Sequence, residues 1–187
     1  PTPMECPGPS WPRSARAALG AATAYAAALA AVHAPLLAAP WARVLGPQVA
    51  GLYVWEAWWF MGAWRRFGDT PLHSTALMHP AGVPAGPHSP LAAALYWPLA
   101  AALGPYAGLN AFALLAYLGA GLGMFLLAFD LTACFPAALA AGFVFMFGHE
   151  ALTQHALGQF GQAFTGFVPV LLLGLRRAAD GRPARAA

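Results

Sequence analysis

GLYVWEAWWFMGAWRRFGDTPLHSTALMHPAGVPAGPHSPL, residues Gly51 to Leu91, is the one long stretch that is neither a plain apolar run nor a tail. Its first part carries Tyr53, Trp55, Trp58, Trp59, Phe60 and Trp64. Its second part is rich in Pro and Gly and holds His73, His79 and His88. A 3.6-residue period puts Trp55, Trp58, Trp59 and Gly62 on one face of a helix over Gly51–Arg66. Trp and Tyr favour the headgroup level of a bilayer, because the ring is apolar and its N–H or O–H wants water. This helix is therefore expected to lie along a membrane surface. Glu56 in its middle and Arg65–Arg66 at its end argue against a span. From Phe67 to Pro90 the chain reads as coil. Pro71, Pro80, Pro84, Pro87 and Pro90 block helix, and Gly82 and Gly86 permit tight bends. A long coil between apolar segments is usually functional or disordered, and the histidines favour function.

The surroundings of this stretch decide the class. The chain has 187 residues, 60% hydrophobic and 8% charged. A soluble domain would be about 25% charged, so there is too little polar surface to cover a water-soluble globule. The class is an all-α, polytopic integral membrane helix bundle. All basic residues are Arg, which with abundant Ala, Gly and Pro points to a GC-rich bacterial genome and to the cytoplasmic (inner) membrane of a bacterium. A net charge of +3 is too small to argue for nucleic acid. The arginines flank spans and form no phosphate-binding stripe. Cys6 and Cys134 make no CxxC motif, and no disulfide is expected.

In chain order, residues 1–13 are expected to be a disordered cytoplasmic tail. Residues 14–177 form the membrane domain, with an outer loop over 40–104, and 178–187 a second tail or the start of a further part. Ala17–Ala39 is long enough to cross the bilayer; the alternative is a signal peptide. Leu91–Leu103 reads as a partial or re-entrant helix. Spans are expected at Pro105–Phe129, Ala133–Leu152 and Ala163–Leu175. Asp130–Thr132 makes an inner turn and Gln154–Gln162 an outer one. Gly119, Gly121 and Gly123 should let a neighbouring helix approach closely. Four crossings leave both arginine-bearing ends in the cytoplasm; a full crossing by Leu91–Leu103 would make five. The chain opens on Pro and closes in an Arg/Ala tail, so it is expected to be a piece of a longer polytopic protein.

This topology collects Glu56, Asp69, His73, His79, His88, His149, Glu150 and His155 on the outer side. Singly, each reads as a water-facing residue at the end of a span. As a set drawn from two outer loops, they read as one site. Imidazole and carboxylate together are compatible with a divalent metal, or with haem for the histidines alone. His149–Glu150 starts like the zinc-protease HExxH, but Thr153 stands where the second His is needed, which excludes a zincin. Glu56 is either a base buried in the aromatic helix or an exposed group on its wet face. Asp69 is either a turn residue or a catalytic carboxylate.

The order of these motifs resembles a known family. A first span leads to W-x-x-W-W (Trp55, Trp58, Trp59), then to His79-Pro80-Ala81-Gly82-Val83, then to His88-Ser89-Pro90-Leu91. A later span ends in Phe147-Gly148-His149. Over roughly Ala17–Arg177 the chain resembles the N-terminal region of bacterial multi-span glycosyltransferases of the GT-C superfamily and related uncharacterised membrane proteins. The resemblance implies transfer of a sugar from a polyprenyl-phosphate donor to an acceptor at the extracytoplasmic face. Family members carry an acid just before the aromatic helix, where this chain has Gly46-Pro47-Gln48-Val49-Ala50. Glu56 or Asp69 would take the catalytic role. Trp55, Trp59, Arg65, Arg66, His79, His88, His149 and Glu150 would bind substrate. The implied partners are the lipid bilayer and the lipid-linked sugar donor. The alternative is a non-catalytic polytopic protein, a scaffold or transport component.

Overall fold

The computed structural model describes residues 11–63, 68, 72–87, 89–159 and 165–181. It is mostly helical. Helices α1 (Trp11–Val32), α2 (Ala34–Leu37) and α3 (Pro47–Gly62) are followed by the short strands β1 (His73–Ser74) and β2 (Val83–Pro84). Then come α4 (Pro90–Leu103), α5 (Pro105–Thr132), α6 (Phe135–Met146), α7 (His149–Leu157) and α8 (Phe167–Ala179). Among the described residues, three stretches are long and apolar enough to cross a membrane: Ala15–Val32, Pro105–Thr132 and Phe135–Leu157, the last taken across the break after α6.

Proline sets where the helices start. α3, α4 and α5 open on Pro47, Pro90 and Pro105, and α6 has Pro136 at its second position. A first-turn N–H has no helical partner, so a residue without one loses nothing there, and its fixed φ already suits the helix. Several expected boundaries shift accordingly. α3 begins at Pro47, inside the stretch expected to be a connector. Asp130–Thr132 belongs to α5, and the turn falls at Ala133–Cys134, where Ala133 has φ 53. The span expected over Ala133–Leu152 is interrupted at Phe147–Gly148, and the expected outer turn at Gln154 lies in α7. Trp11–Arg13, expected in the tail, starts α1.

The described residues form two compact units. One draws on residues 11–34, 115–152 and 165–181, the other on 35–114 and 153–159. In the first unit, α1 and α6 run side by side in the same direction. The Tyr25 hydroxyl donates to the Leu139 carbonyl (3.0 Å), and its ring meets Phe143 edge-on at 4.8 Å. Farther along, His33 lies 5.5 Å from Tyr117, which lies 6.0 Å from Phe147. α5 runs the opposite way, since Phe125 meets Phe135 at the other end, 5.7 Å between centroids.

α8 follows α5 in parallel. A side chain at Gly166 would come within 2.7 Å of the Ala120 nitrogen, and one at Gly123 within 2.7 Å of the Gly166 carbonyl. A side chain at Gly121 would meet Met146 and Tyr25. The expectation of close neighbours holds at Gly121 and Gly123, with backbone meeting backbone at Gly123 and Gly166, but not at Gly119, where an added side chain would meet nothing within 4 Å. The far side of α8 carries Leu171, Leu172 and Leu175, all about half exposed. Such a face suits solvation by lipid rather than water.

The starts of α1 and α6 and the ends of α5 and α8 share one end of this unit. There Arg177 donates through Nε (3.3 Å) and Nη2 (3.1 Å) to Asp130 Oδ1. Arg176 Nη1 stands 3.0 Å from Oδ2, close enough for charge attraction but not aligned as a hydrogen bond. Asp130, read from sequence as a turn residue, ties α5 to α8. Asp130→Ala is expected to lower stability by roughly 1.5–3 kcal/mol, the range for hydrogen bonds to charged groups, and toward its lower end because both arginines are a third exposed. Thermal unfolding in detergent measures it. A melting point unchanged from the parent protein would show that the pair contributes nothing.

Candidate functional site

The second unit contains the aromatic helix. Gly46 precedes Pro47 in the left-handed region (φ 59) and turns the chain sharply into α3. Apolar residues occur on every side of α3 and its one acid, Glu56, is buried, so periodicity does not single out its buried side. Packing does: Tyr53, Glu56, Ala57, Trp59 and Ala63 are buried, while Gly51, Trp58 and Met61 face outward. Trp59 is fully buried in a core with Ala63 and Ala85, flanked by Trp55 and Phe60. One turn apart, Trp55 and Trp59 stack with planes 6° apart and centroids 6.1 Å apart. Phe60 stacks on Trp97 of α4 at 4.1 Å.

Glu56 is 3% exposed. That settles the choice left open by the sequence in favour of a buried carboxylate. Its charge is felt by Tyr96 on α4, whose phenol is held well above its ordinary pKa, first by burial and second by Glu56. The Tyr96 hydroxyl donates to the Pro105 carbonyl at 3.1 Å.

Trp55 and Trp58 of α3 also line an open cleft of about 450 Å³ with Val44, Val54, Pro105 and Tyr106. Its wall is almost entirely apolar. Two features shape it. Asn110, 3% exposed, donates from Nδ2 to the carbonyls of Pro40 (2.9 Å) and Arg43 (2.7 Å) and accepts from the Leu45 N–H (3.2 Å). One side chain on α5 thus fixes the strand of chain that carries Val44. The second is a backbone crossing. Gly46 lies against Gly158 (φ 77) so closely that a Cβ on either would run into the other's backbone.

The remaining expected site residues divide. Arg65, Arg66, Asp69 and His88 lie outside the described residues. His79 is exposed at the turn between β1 and β2. His149 and Glu150 are exposed at the start of α7 and belong to the first unit, whereas Trp55, Glu56, Trp59 and His79 belong to the second. His155 was expected at the outer surface but is 1% exposed, because α7 continues through it and turns it into the second unit. Among the described residues no group of three His, Cys, Asp or Glu could hold a metal ion. Sequence reasoning missed Asn110 and Tyr96. A lone Asn in an apolar helix was the available signal, since an amide with four hydrogen-bonding positions is not buried without partners.

These features define a helical protein with, among the described residues, three stretches suited to crossing a membrane and an aromatic unit built around α3. No protein family, curated protein or solved structure matches the chain.

Proposed function

We propose that the chain is the N-terminal membrane part of a GT-C-like glycosyltransferase of the bacterial inner membrane, moving a sugar from a polyprenyl-phosphate donor to an acceptor at the extracytoplasmic face. The supporting observation is the placement of Glu56. It is the buried acid of α3, and its neighbours Trp55 and Trp58 line an apolar cleft. In this reading the lipid part of the donor lies along the tryptophans, and Glu56 takes the proton of the acceptor hydroxyl as the sugar–phosphate bond breaks. The positive-inside rule favours Arg16, Arg176 and Arg177 in the cytoplasm, with the span expected over Ala163–Leu175 as a fourth crossing and α3 along the outer surface.

The test is sugar transfer by the full-length protein in lipid. Glu56→Gln keeps shape and removes the base, and is expected to lower kcat about 10²–10⁴-fold with little change in melting point. Transfer at the parent rate would reject Glu56 as the base. A second reading, a non-catalytic scaffold or transport component, is favoured by the depth of Glu56. At 3% exposure, a carboxylate beside Tyr96 serves packing as readily as chemistry. It predicts no transfer by the parent protein and a Glu56→Gln effect on stability alone.

A further inference from the structure

The β1–β2 hairpin exposes apolar side chains at positions where an ordered loop in water would carry polar ones. β1 pairs antiparallel with β2, His73 opposite Pro84 and Ser74 opposite Val83. The Ala85 N–H donates to the Leu72 carbonyl at 2.8 Å, and the Gly82 N–H to the Met78 carbonyl at 3.0 Å. Gly82 (φ 72) is needed because a Cβ there would run into the His73 ring. Ser74 is fully buried. Yet Leu72 is 65% exposed, Leu77 42% and Met78 77%. Met78 also has φ 54, a conformation uncommon for a side chain of its size. Backbone strain of this kind persists only where the surrounding structure enforces it.

We propose that this hairpin is inserted into the headgroup region of the bilayer, with Leu77 and Met78 at its tip and Leu72 at its base. Two observations select lipid as the occupant. First, no Asp, Glu, Lys or Arg occurs between Asp69 and Asp130, so the hairpin takes no permanently charged side chain out of water, and the exposed imidazole of His79 beside Met78 suits the polar headgroup level. Second, three side chains on one short hairpin supply far less than the about 800 Å² per partner that a stable protein interface needs, whereas interfacial insertion needs only a small apolar surface. The turn is closed by the Met78–Gly82 hydrogen bond and the base of the hairpin by Leu72–Ala85, which lowers the cost of moving this backbone out of bulk water. This assignment does not depend on any catalytic role for Glu56.

The test uses the full chain in lipid nanodiscs with Cys6 and Cys134 replaced by Ser. A single cysteine is introduced as Leu72→Cys or Met78→Cys and carries an environment-sensitive fluorophore. Both positions are exposed, so the label need not disturb folding. The expected result is blue-shifted emission that is largely quenched by lipids bearing a nitroxide high on the acyl chain. Adding Met78→Asp to the labelled Leu72→Cys protein should shift emission back toward that in water and abolish most of the quenching. Water-like, unquenched emission at both sites would overturn the proposal. So would blue-shifted emission that the nitroxide lipids leave untouched, because that marks burial against a second copy or another protein segment.

Discussion

Gly158→Ala is expected to disrupt the second unit. At φ 77 a side chain already costs about 1–2 kcal/mol through contact with its own carbonyl. The added methyl would also collide with the Gly46 carbonyl oxygen and come within 2.9 Å of the Ala50 nitrogen. That oxygen accepts the Ala50 N–H at 3.3 Å, the first hydrogen bond of α3. No flexible side chain can move aside here; the clash is with backbone. A loss above about 3 kcal/mol is expected, among the large single-residue effects. For a chain of this length it corresponds to a fall in melting point of roughly 6–12 °C. Gly51→Ala is the control. It lies in α3 with nothing within 4 Å of the added atom, so it should be neutral or slightly stabilising, since Ala is the better helix former. Equal melting points for Gly158→Ala and Gly51→Ala would refute the tight crossing.

Asn110→Leu should be comparably damaging for a different reason. The change keeps approximate volume but strips partners from the Pro40 and Arg43 carbonyls and from the Leu45 N–H. Each orphaned buried group costs about 1–3 kcal/mol. Part of that will be recovered by water reaching an exposed Arg43. A net loss of roughly 3–5 kcal/mol is expected, together with red-shifted tryptophan emission as Val44 leaves the wall beside Trp55 and Trp58. Asn110→Asp separates hydrogen bonding from shape: it retains the acceptor for Leu45 but turns a carboxylate toward two carbonyls. It should be no more stable than the Leu variant. A fully stable Asn110→Asp protein would mean that the two donated bonds contribute nothing.

The elements that the sequence made legible are those in which one physical demand dominates. α5 is an apolar run with no competing signal, and its extent differs from expectation only at the C-terminal turn, where Asp130 continues the helix to reach Arg177. α4 was legible as a short apolar helix, and it passes through Pro98 unbroken. The break at Phe147–Gly148 was not legible, because apolar residues continue up to Phe147 and a single Gly is tolerated in many helices. The burial of Glu56 and His155 was hidden for a related reason. Large apolar residues occur on every side of α3, so no stripe marks its inner face, and α7 is too short to establish a period. The rows of glycine in α5 were informative, since close approach is the main use of such residues between membrane helices. The proposed site was legible only as a set of residue types. Its assembly depends on tertiary contacts, such as Asn110 with the chain near Arg43, that no local pattern encodes.

The uncharged interval between Asp69 and Asp130 also determines which forces can act on α5. A membrane potential does about 2.3 kcal/mol of work per elementary charge per 100 mV, and on a neutral rod at ordinary pH that work vanishes. The one ionised group of α5, Asp130, is at its end and already neutralised by two arginines. Voltage and ionic strength therefore have almost no hold on this helix. Bilayer thickness does: its 28 residues measure about 42 Å against a hydrocarbon layer of about 30 Å. Thinner or thicker membranes should change its tilt, and with it the height at which Pro105 and Tyr106 meet the headgroups.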